Sequence, residues 1–237
     1  MTELGSKHSV SSTIEMSELT YKTEREALVK AGLKLVELGL VSRTWGNISI
    51  RVNKDEMLVT PSGKYYEDTR PEDMVLINIR TNEYDKNSGK PSSEFRLHSG
   101  IYADRPGFSA IIHTHQMNAS TCAAARREVP PVLDDMAQIV GPSVRVADYA
   151  LSSTNKLVRN TVKALRGRNA ALMANHGAVC AGRDLNEAFA VCEVLEKACK
   201  AFIEAEFLGG AKSINKFSAW AMHQAYLKKY SKLAGKK

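Results

Sequence analysis

The spacing of the hydrophobic residues changes within the first 60 positions of this chain, and that change restricts the fold. Between Leu28 and Leu38 they recur at helical spacing, and the helix is predicted to stop at Gly39. From Ile48 to Thr60 the hydrophobic residues recur at every second position, which predicts two strands joined by the short polar turn 53–55. The chain therefore needs a fold that combines helices with a sheet.

The same mixture continues to the end of the chain. No repeat or linker divides it, so the pattern predicts one layered α/β domain over residues 19–237. The Ser-rich residues 1–18 are predicted to be a flexible N-terminal extension. Further strands are predicted at 74–79, 109–115, 144–146 and 170–174, the last continuing beyond Gly177 as 178–181, and further helices at 95–105, 119–127, 155–165 and 186–207.

The net charge of +7 is concentrated at one end of the chain. Residues 207–237 hold seven Lys and no acidic residue, which leaves 26 basic and 26 acidic side chains elsewhere. Because nucleic-acid binding needs a clustered basic face and a motif, we expect no nucleic-acid partner and a solvated basic segment. No apolar run is long enough for a membrane helix or a signal peptide, so we expect a cytoplasmic protein with no membrane partner.

Three histidines and a glutamate form a candidate metal site. On a strand, His113 and His115 point to the same face because they alternate with Thr114. His176 closes a later apolar strand before Gly177, and Glu94 begins a helix. Each has a purely structural explanation when taken alone. Together, three imidazoles and one carboxylate complete a ligand set typical of zinc.

Three short turns carry glycine or small polar side chains, and they are candidate phosphate sites. Their backbone N–H groups and hydroxyls suit an anion, and Ser93 directly precedes Glu94, which would place the anion beside the metal. Any one of them alone is more simply an ordinary turn or cap. The turns are 44–47 (TWGN), 60–63 (TPSG) and 90–93 (KPSS).

These motifs, in this order, resemble the class II aldolase/adducin family, most closely its aldolases for fuculose 1-phosphate. The resemblance runs from about Thr20 to the C-terminus. It implies a three-layer α/β/α domain with a central, largely antiparallel mixed sheet, and a homotetramer with active sites between subunits. It also implies zinc held by His113, His115 and His176, with Glu94 as fourth ligand and acid/base. The substrate phosphate would be bound by Thr44, Asn47, Ser62, Gly63, Ser92 and Ser93.

The chain departs from the family pattern at the second proton donor. Asp134 stands where the family's aldolases carry a tyrosine contributed by a neighbouring subunit, and Gln138 matches the place of an epimerase aspartate. Asp134, or the adjacent Asp135, is a candidate substitute donor. Tyr230 matches a second, C-terminal tyrosine of the aldolases, and Tyr226 is the alternative if the register slips.

The leading hypothesis is a zinc-dependent aldolase. It would cleave a ketose 1-phosphate reversibly into dihydroxyacetone phosphate and a small aldehyde, with Glu94 moving the proton. Manganese or cobalt also suits this ligand set. The alternatives are a sugar-phosphate 4-epimerase or decarboxylase on the same scaffold, or a non-catalytic adducin-type module. Glu94 favours the aldolase, because the related epimerase carries Asp there. The sequence leaves the aldehyde and the stereochemistry open.

Overall fold

The computed structural model describes residues 19–234, with side chains up to Lys229. The predicted flexible extension, residues 1–18, lies outside this range, and so does the side chain of Tyr230. Seven strands in the described range form one sheet. They are β1 (Asn47–Arg51), β2 (Glu56–Val59), β3 (Val75–Asn78), β4 (Ala110–Thr114), β5 (Val146–Ala147), β6 (Ala170–Met173) and β7 (Gly177–Gly182).

The strand order is β3-β2-β1-β4-β7-β6-β5. Every neighbouring pair is antiparallel except β5 and β6, which run parallel. The central strand β4 pairs with β1 on one side and with β7 on the other, so Asn47, His113 and Val179 stand side by side across the sheet. The predicted largely antiparallel mixed sheet is confirmed.

Helices cover both faces of this sheet, which confirms the three-layer α/β/α architecture. Alternate residues of β4 face opposite layers: Ile112 packs into one apolar core and Ile111 into the other. Both side chains are fully buried. The helices of the described range are α1 (Lys22–Glu37), α2 (Phe95–Asp104), α3 (Met117–Ala124), α4 (Asn155–Leu165), α5 (Leu185–Phe207) and α6 (Lys216–Ala234).

The two helical layers have different members. Helices α1, α3 and α5 pack on the face that contains Ile112, whereas α2 and α4 pack on the face that contains Ile111. Their apolar residues are on the side that meets the sheet, as the helical spacing of the sequence predicts. Within residues 19–234, no helix is both long and apolar enough to span a bilayer.

Four strand ends meet at one end of the sheet. β4 ends at Thr114 and β6 at Met173, while the antiparallel strands β1 and β7 begin there, at Asn47 and Gly177. Because neighbouring strands alternate in direction, loops from different parts of the sequence come together at this end. The predicted metal and phosphate residues lie in or beside these loops.

Residues 170–181 differ from their predicted arrangement. They do not form one strand that continues beyond Gly177, since β6 and β7 are antiparallel and Met173 pairs with Gly177. The chain reverses at Asn175, whose φ of 55° lies in the left-handed region. Both strands are buried on both faces, so their residues form one apolar run that hides the turn. The reversal places His176 at the end of the sheet.

The basic C-terminal segment is not a plain solvated tail, contrary to the expectation from its charge. It forms α6, which packs on a π-helical turn, Met136–Val140. Ala219 and His223 of α6 are buried. His223 Nδ1–H donates a hydrogen bond to the Gln138 carbonyl oxygen at 2.7 Å. The seven lysines predict a solvated segment, but the small Ala219 and the hydrogen-bonded His223 give α6 a side that packs.

Glu196 on α5 closes the N-terminal end of α3, the helix that follows His115. Its carboxylate accepts hydrogen bonds from the backbone N–H groups of Asn118 at 2.8 Å and Ala119 at 3.0 Å. The Asn118 side chain donates a third bond at 2.7 Å. A carboxylate from another helix thus satisfies N–H groups that α3 cannot satisfy itself.

We expect Glu196→Ala to lower the free energy of unfolding by about 1–2 kcal/mol, because these N–H groups lose their acceptor. Urea denaturation followed by circular dichroism measures the loss. Glu193→Ala is the matched control, since Glu193 is exposed on the same helix and lies 3.8 Å from Lys34; we expect it to change stability by less than about 0.5 kcal/mol. Equal losses in the two variants would contradict a capping role.

Candidate metal centre and anion cavity

Three histidine side chains converge at the end of the sheet where β4 stops and β7 begins. One ligand atom from each of His113, His115 and His176 lies within 4.8 Å of the others. The ring centroids are separated by 4.7 to 5.3 Å. As predicted, His113 and His115 are on the same side of their strand, and His176 joins them from the β6–β7 turn.

A backbone contact fixes the tautomer of His113. Its Nδ1–H donates to the Ala178 carbonyl oxygen at 2.8 Å, so Nε2 is the nitrogen left to carry a proton toward Glu94 or to bind a metal ion. Nε2 lies 3.0 Å from Glu94 Oε2 and 2.9 Å from His115 Nε2. A lone pair facing a carboxylate oxygen at this distance is repelled unless a proton or a cation lies between them.

Glu94 stands at the start of α2 and is almost fully buried. Its Oε1 lies 3.5 Å from His176 Nε2 and accepts a hydrogen bond from the Ser152 hydroxyl at 2.9 Å. Burial alone would raise the pKa of Glu94, but the hydrogen bond and charge of His113, together with His176 and Ser152, hold that pKa well below its usual value. The carboxylate is therefore ionised near neutral pH.

Within the group of three histidines, His115 and His176 have lowered pKa values. Burial, followed by repulsion from His113 and His176, lowers the pKa of His115 to about 4. Burial, followed by His113, also lowers the pKa of His176. Both rings are thus neutral near pH 7, which is the form that binds a metal.

These residues fit a divalent metal ion. Three imidazole nitrogens and one carboxylate oxygen are a common donor set for zinc, and among the described residues no lysine or arginine pairs with this carboxylate. The backbone carbonyl on His113 Nδ1 is the kind of support that orients a metal-binding ring. The group can therefore hold a metal, and its donor atoms do not by themselves select zinc over manganese or cobalt.

Two of the predicted phosphate turns are joined by backbone hydrogen bonds. Ser62 N–H donates to the Lys90 carbonyl at 2.9 Å, and Ser92 N–H donates to the Thr60 carbonyl at 3.0 Å. Thr60 Oγ1 in turn accepts from Ile48 N–H at 3.1 Å, which attaches the pair to β1. Loops that are 30 residues apart in the sequence therefore form one wall.

This wall borders a cavity of about 310 Å³ that the metal residues close at one end. Glu94, His115 and His176 line it, and the N-terminal end of α2 opens into it. No Lys or Arg of the described chain lines it. All six predicted phosphate residues do: Thr44, Asn47, Ser62, Gly63, Ser92 and Ser93.

The candidate second proton donors whose side chains are described do not line this cavity. Asp134 is exposed, in the turn that precedes Met136–Val140, and does not line the cavity of its own chain. Asp135 pairs with Lys197 and accepts the Met136 N–H at 2.9 Å. Tyr226 donates to Glu187 Oε1 at 2.9 Å, whereas the side chain of Tyr230 lies outside the described residues.

Three further residues of the site were not predicted from the sequence. Ser152 comes from the loop before α4 and binds Glu94. The ring of Trp45 stacks on His115, with 6.3 Å between centroids, and is 59% exposed at the cavity. His98 is fully buried beside Asn47. His98 had a signal in the sequence because it lies one helical turn after Glu94 and therefore on the same side of α2, and Trp45 had one because it lies inside the predicted phosphate turn 44–47; Ser152 had none.

Comparison with known proteins gives consistent results. A family model described as Class II Aldolase and Adducin N-terminal domain matches residues 26–203. The chain is 36% identical over 191 residues to the 5-deoxy-D-ribulose 1-phosphate aldolase of Bacillus thuringiensis, covering 80% of this chain and 88% of that protein. It is also 36% identical over 173 residues to the 5-methylthioribulose-1-phosphate/5-deoxyribulose-1-phosphate aldolase of Rhodospirillum rubrum, covering 73% and 77% respectively.

A solved structure agrees with these sequence matches. An L-fuculose 1-phosphate aldolase superposes with a TM-score of 0.83 at 32% sequence identity. The match covers 89% of this chain and 99% of that chain. The likeness therefore extends over the sheet, the helical layers and the loops at the histidine end.

Gly46 offers a test of the metal centre from outside the ligand set. Its φ is +78°, and a Cβ added there would meet the His113 carbonyl oxygen at 2.8 Å and Val41 Cγ1 at 2.5 Å. We expect Gly46→Ala to weaken zinc binding about 10- to 100-fold, because the strand that holds His113 must shift. Titration against a competing chelator measures this affinity.

Gly39→Ala is the matched control for that experiment. Gly39 has a similar φ of +63°, but a Cβ there meets nothing within 4 Å. Its backbone strain should leave zinc affinity unchanged. A loss of the same size in both variants would show that general destabilisation, and not displacement of His113, is responsible.

Proposed function

This chain belongs to the class II aldolase and adducin family, and we propose that it cleaves a ketose 1-phosphate reversibly into dihydroxyacetone phosphate and a small aldehyde. One observation carries the proposal. The ionised Glu94 and the histidine group close one end of a cavity whose wall contains uncharged serine, threonine, asparagine and glycine residues. This arrangement suits a ligand with a phosphate at one end and a carbonyl group near it.

We propose zinc as the bound metal, held by His113, His115 and His176 with Glu94 as the fourth ligand. Such a metal supplies Lewis-acid polarisation of the ketose carbonyl group. The backbone support of His113 and the neutral state of His115 and His176 favour this assignment. Among residues 19–229 no lysine lines the cavity to form a Schiff base with the substrate, which also favours a metal-dependent reaction.

Glu94 is the proposed acid/base. In the synthetic direction the Glu94 carboxylate removes a proton from C3 of the triose phosphate half. In cleavage the carboxyl group first takes up a proton from solvent and returns it to C3 after the C3–C4 bond breaks. The Ser152 hydroxyl holds Oε1, so the other oxygen keeps a fixed direction toward the histidines. A buried carboxylate with one oxygen held in this way loses little orientation freedom during the reaction.

The two joined turns and the N-terminal end of α2 are the proposed phosphate site. They offer backbone N–H groups, hydroxyls and the Asn47 amide, and the helix dipole adds a favourable field for an anion. The phosphate does not react, so binding energy at this end orients the carbonyl end of the substrate.

The names of the relatives support a short, apolar aldehyde. The two relatives at 36% identity are named for 5-deoxyribulose and 5-methylthioribulose 1-phosphates. Cleavage of a 5-deoxypentulose 1-phosphate between C3 and C4 releases acetaldehyde. We therefore propose a ketose 1-phosphate with a deoxy or thioether tail as the substrate class, with acetaldehyde before lactaldehyde in the order of assay.

We also propose a homotetramer whose active sites lie between subunits. Asp134 does not line the cavity of its own chain, so it can meet the aldehyde half of the substrate only from a neighbouring copy. In this proposal Asp134 takes the proton of the C4 hydroxyl as the C3–C4 bond breaks, and Tyr230 of the neighbour closes the site.

Metal removal and aldehyde choice test the reaction together. We expect chelation to abolish release of dihydroxyacetone phosphate from 5-deoxyribulose 1-phosphate, and zinc to restore it, because polarisation of the carbonyl is lost without the metal. A coupled dehydrogenase assay measures the triose phosphate. Full turnover in a metal-free sample, an isomerised sugar, or carbon dioxide as product would contradict the aldolase, and a purified chain that binds no metal would favour an adducin-type module.

Mixing two inactive variants tests the shared site. We expect Glu94→Gln and Asp134→Asn each to lower kcat at least about 100-fold, since each removes a proton carrier. Mixed and reassembled one to one, they should recover about a quarter of wild-type activity, because one site in four then holds both native residues. The control is each variant reassembled alone. No recovery in the mixture would contradict a site shared between copies.

A further inference from the structure

A chain of buried polar groups connects α2 to the cavity wall. His98 of α2 is fully buried and lies between two residues of β1. Its Nδ1 is 2.6 Å from Ser49 Oγ, and its Nε2 is 2.5 Å from Asn47 Oδ1. Neither contact includes a residue of the metal group. His98 is therefore held on both sides by hydrogen bonds to residues outside the metal group.

We propose that His98 is a positioning residue that orients the Asn47 amide toward the substrate phosphate. As the Nε2–H tautomer it donates to Asn47 Oδ1, so that the Asn47 Nδ2 group faces the cavity as a hydrogen-bond donor. The inference deepens the proposed function and rests on it, because it takes the phosphate of the substrate as the group that Asn47 binds.

The hydrogen-bond partners determine where the proton of His98 lies. Burial, followed by repulsion from His113, lowers the pKa of His98 to about 3, so the ring is neutral and has one N–H. Asn47 Oδ1 accepts only, which assigns that N–H to Nε2. Nδ1 then accepts a hydrogen bond from the Ser49 hydroxyl.

The Ser49 hydroxyl is itself held in place. Tyr102, one turn beyond His98 on α2, has its hydroxyl 3.0 Å from Ser49 Oγ. Because the Ser49 proton is directed to His98 Nδ1, the Tyr102 hydroxyl is the donor to Ser49 Oγ, and the Ser49 carbonyl at 3.1 Å is its alternative acceptor. Tyr102 is buried, like His98 and Ser49. The network thus runs from Tyr102 through Ser49 and His98 to Asn47. The carboxamide group of Asn47 is its last member and lies at the cavity.

The direction of that carboxamide decides whether it attracts or repels an anion. An asparagine presents an acceptor on one side and two donors on the other. Among the described residues, Asn47 Nδ2 has no hydrogen-bond partner, and Asn47 lines the cavity. With the amide reversed, Oδ1 would face the phosphate and repel it. Because no Lys or Arg in the described part of the chain lines the cavity, the loss of one donor should weaken phosphate binding strongly.

A double-mutant cycle with inorganic phosphate as the probe tests this inference on the zinc-loaded protein. We expect His98→Phe and Asn47→Ala each to raise the Kd for phosphate about 10- to 100-fold, the loss of one charge-assisted hydrogen bond. The double variant should bind no more weakly than Asn47→Ala alone, because His98 acts only through Asn47. Isothermal titration calorimetry measures the three values.

Two controls separate positioning from a general structural role. Ser99→Ala replaces a neighbouring buried side chain whose Oγ has no partner among the described residues, and it should leave the Kd for phosphate unchanged. His98→Gln keeps a donor and should recover part of the affinity that His98→Phe loses. Zinc content should be equal in all variants. A further loss from His98→Phe in the Asn47→Ala background would overturn the inference.

The unmodified protein provides a second test if His98→Phe fails to fold. Nitrogen-15 NMR of labelled histidines should show His98 as the Nε2–H tautomer, and an Nδ1–H tautomer would overturn the inference. Neither readout uses turnover. If the aldolase proposal fails, triose phosphate release is absent while the coupling between His98 and Asn47 persists; if this inference fails, the coupling is absent while turnover persists.

Discussion

The contact between His113 and the Ala178 carbonyl is the constraint on which the site depends. It joins β4 to the first residues of β7, and it commits one ring nitrogen to the sheet. The other nitrogen must then face Glu94 and His115. A buried carboxylate beside buried lone pairs is unstable without a cation. The antiparallel pairing that builds the sheet thus also creates a place where a proton or a metal ion is needed between the histidines and Glu94.

Much of this arrangement could be predicted from the sequence because it depends on short-range patterns. The alternation in His113-Thr114-His115 places two rings on one face of a strand, and Ser93 next to Glu94 places an anion site beside them. The helices 155–165 and 186–207 follow directly from apolar spacing and agree with α4 and α5. Local periodicity therefore predicted the fold class and the shared face of His113 and His115, whereas the grouping of Glu94, His176 and the three turns with them came from the family resemblance.

What could not be predicted depends on contacts between distant residues or on a single backbone conformation. The reversal at Asn175 is one left-handed residue inside an apolar run, so hydrophobicity alone suggested a single strand. Ser152 binds Glu94 although the two are 58 positions apart in the sequence. A single serine in a loop carries no pattern from which that contact could be predicted. The packing of α6 could not be predicted because the segment is rich in lysine and only a few of its residues are buried.

The packing of α6 on the π-helical turn has a consequence for how copies of the chain would share a site. The turn begins two residues after Asp134, and His223 ties it to the helix that contains Tyr230. Asp134 and the backbone of Tyr230 therefore belong to one packed unit, made of the π-helical turn and α6. A neighbouring copy that contributed one would contribute the other with it, so such a site would be completed by a single docking event and not by two independent ones.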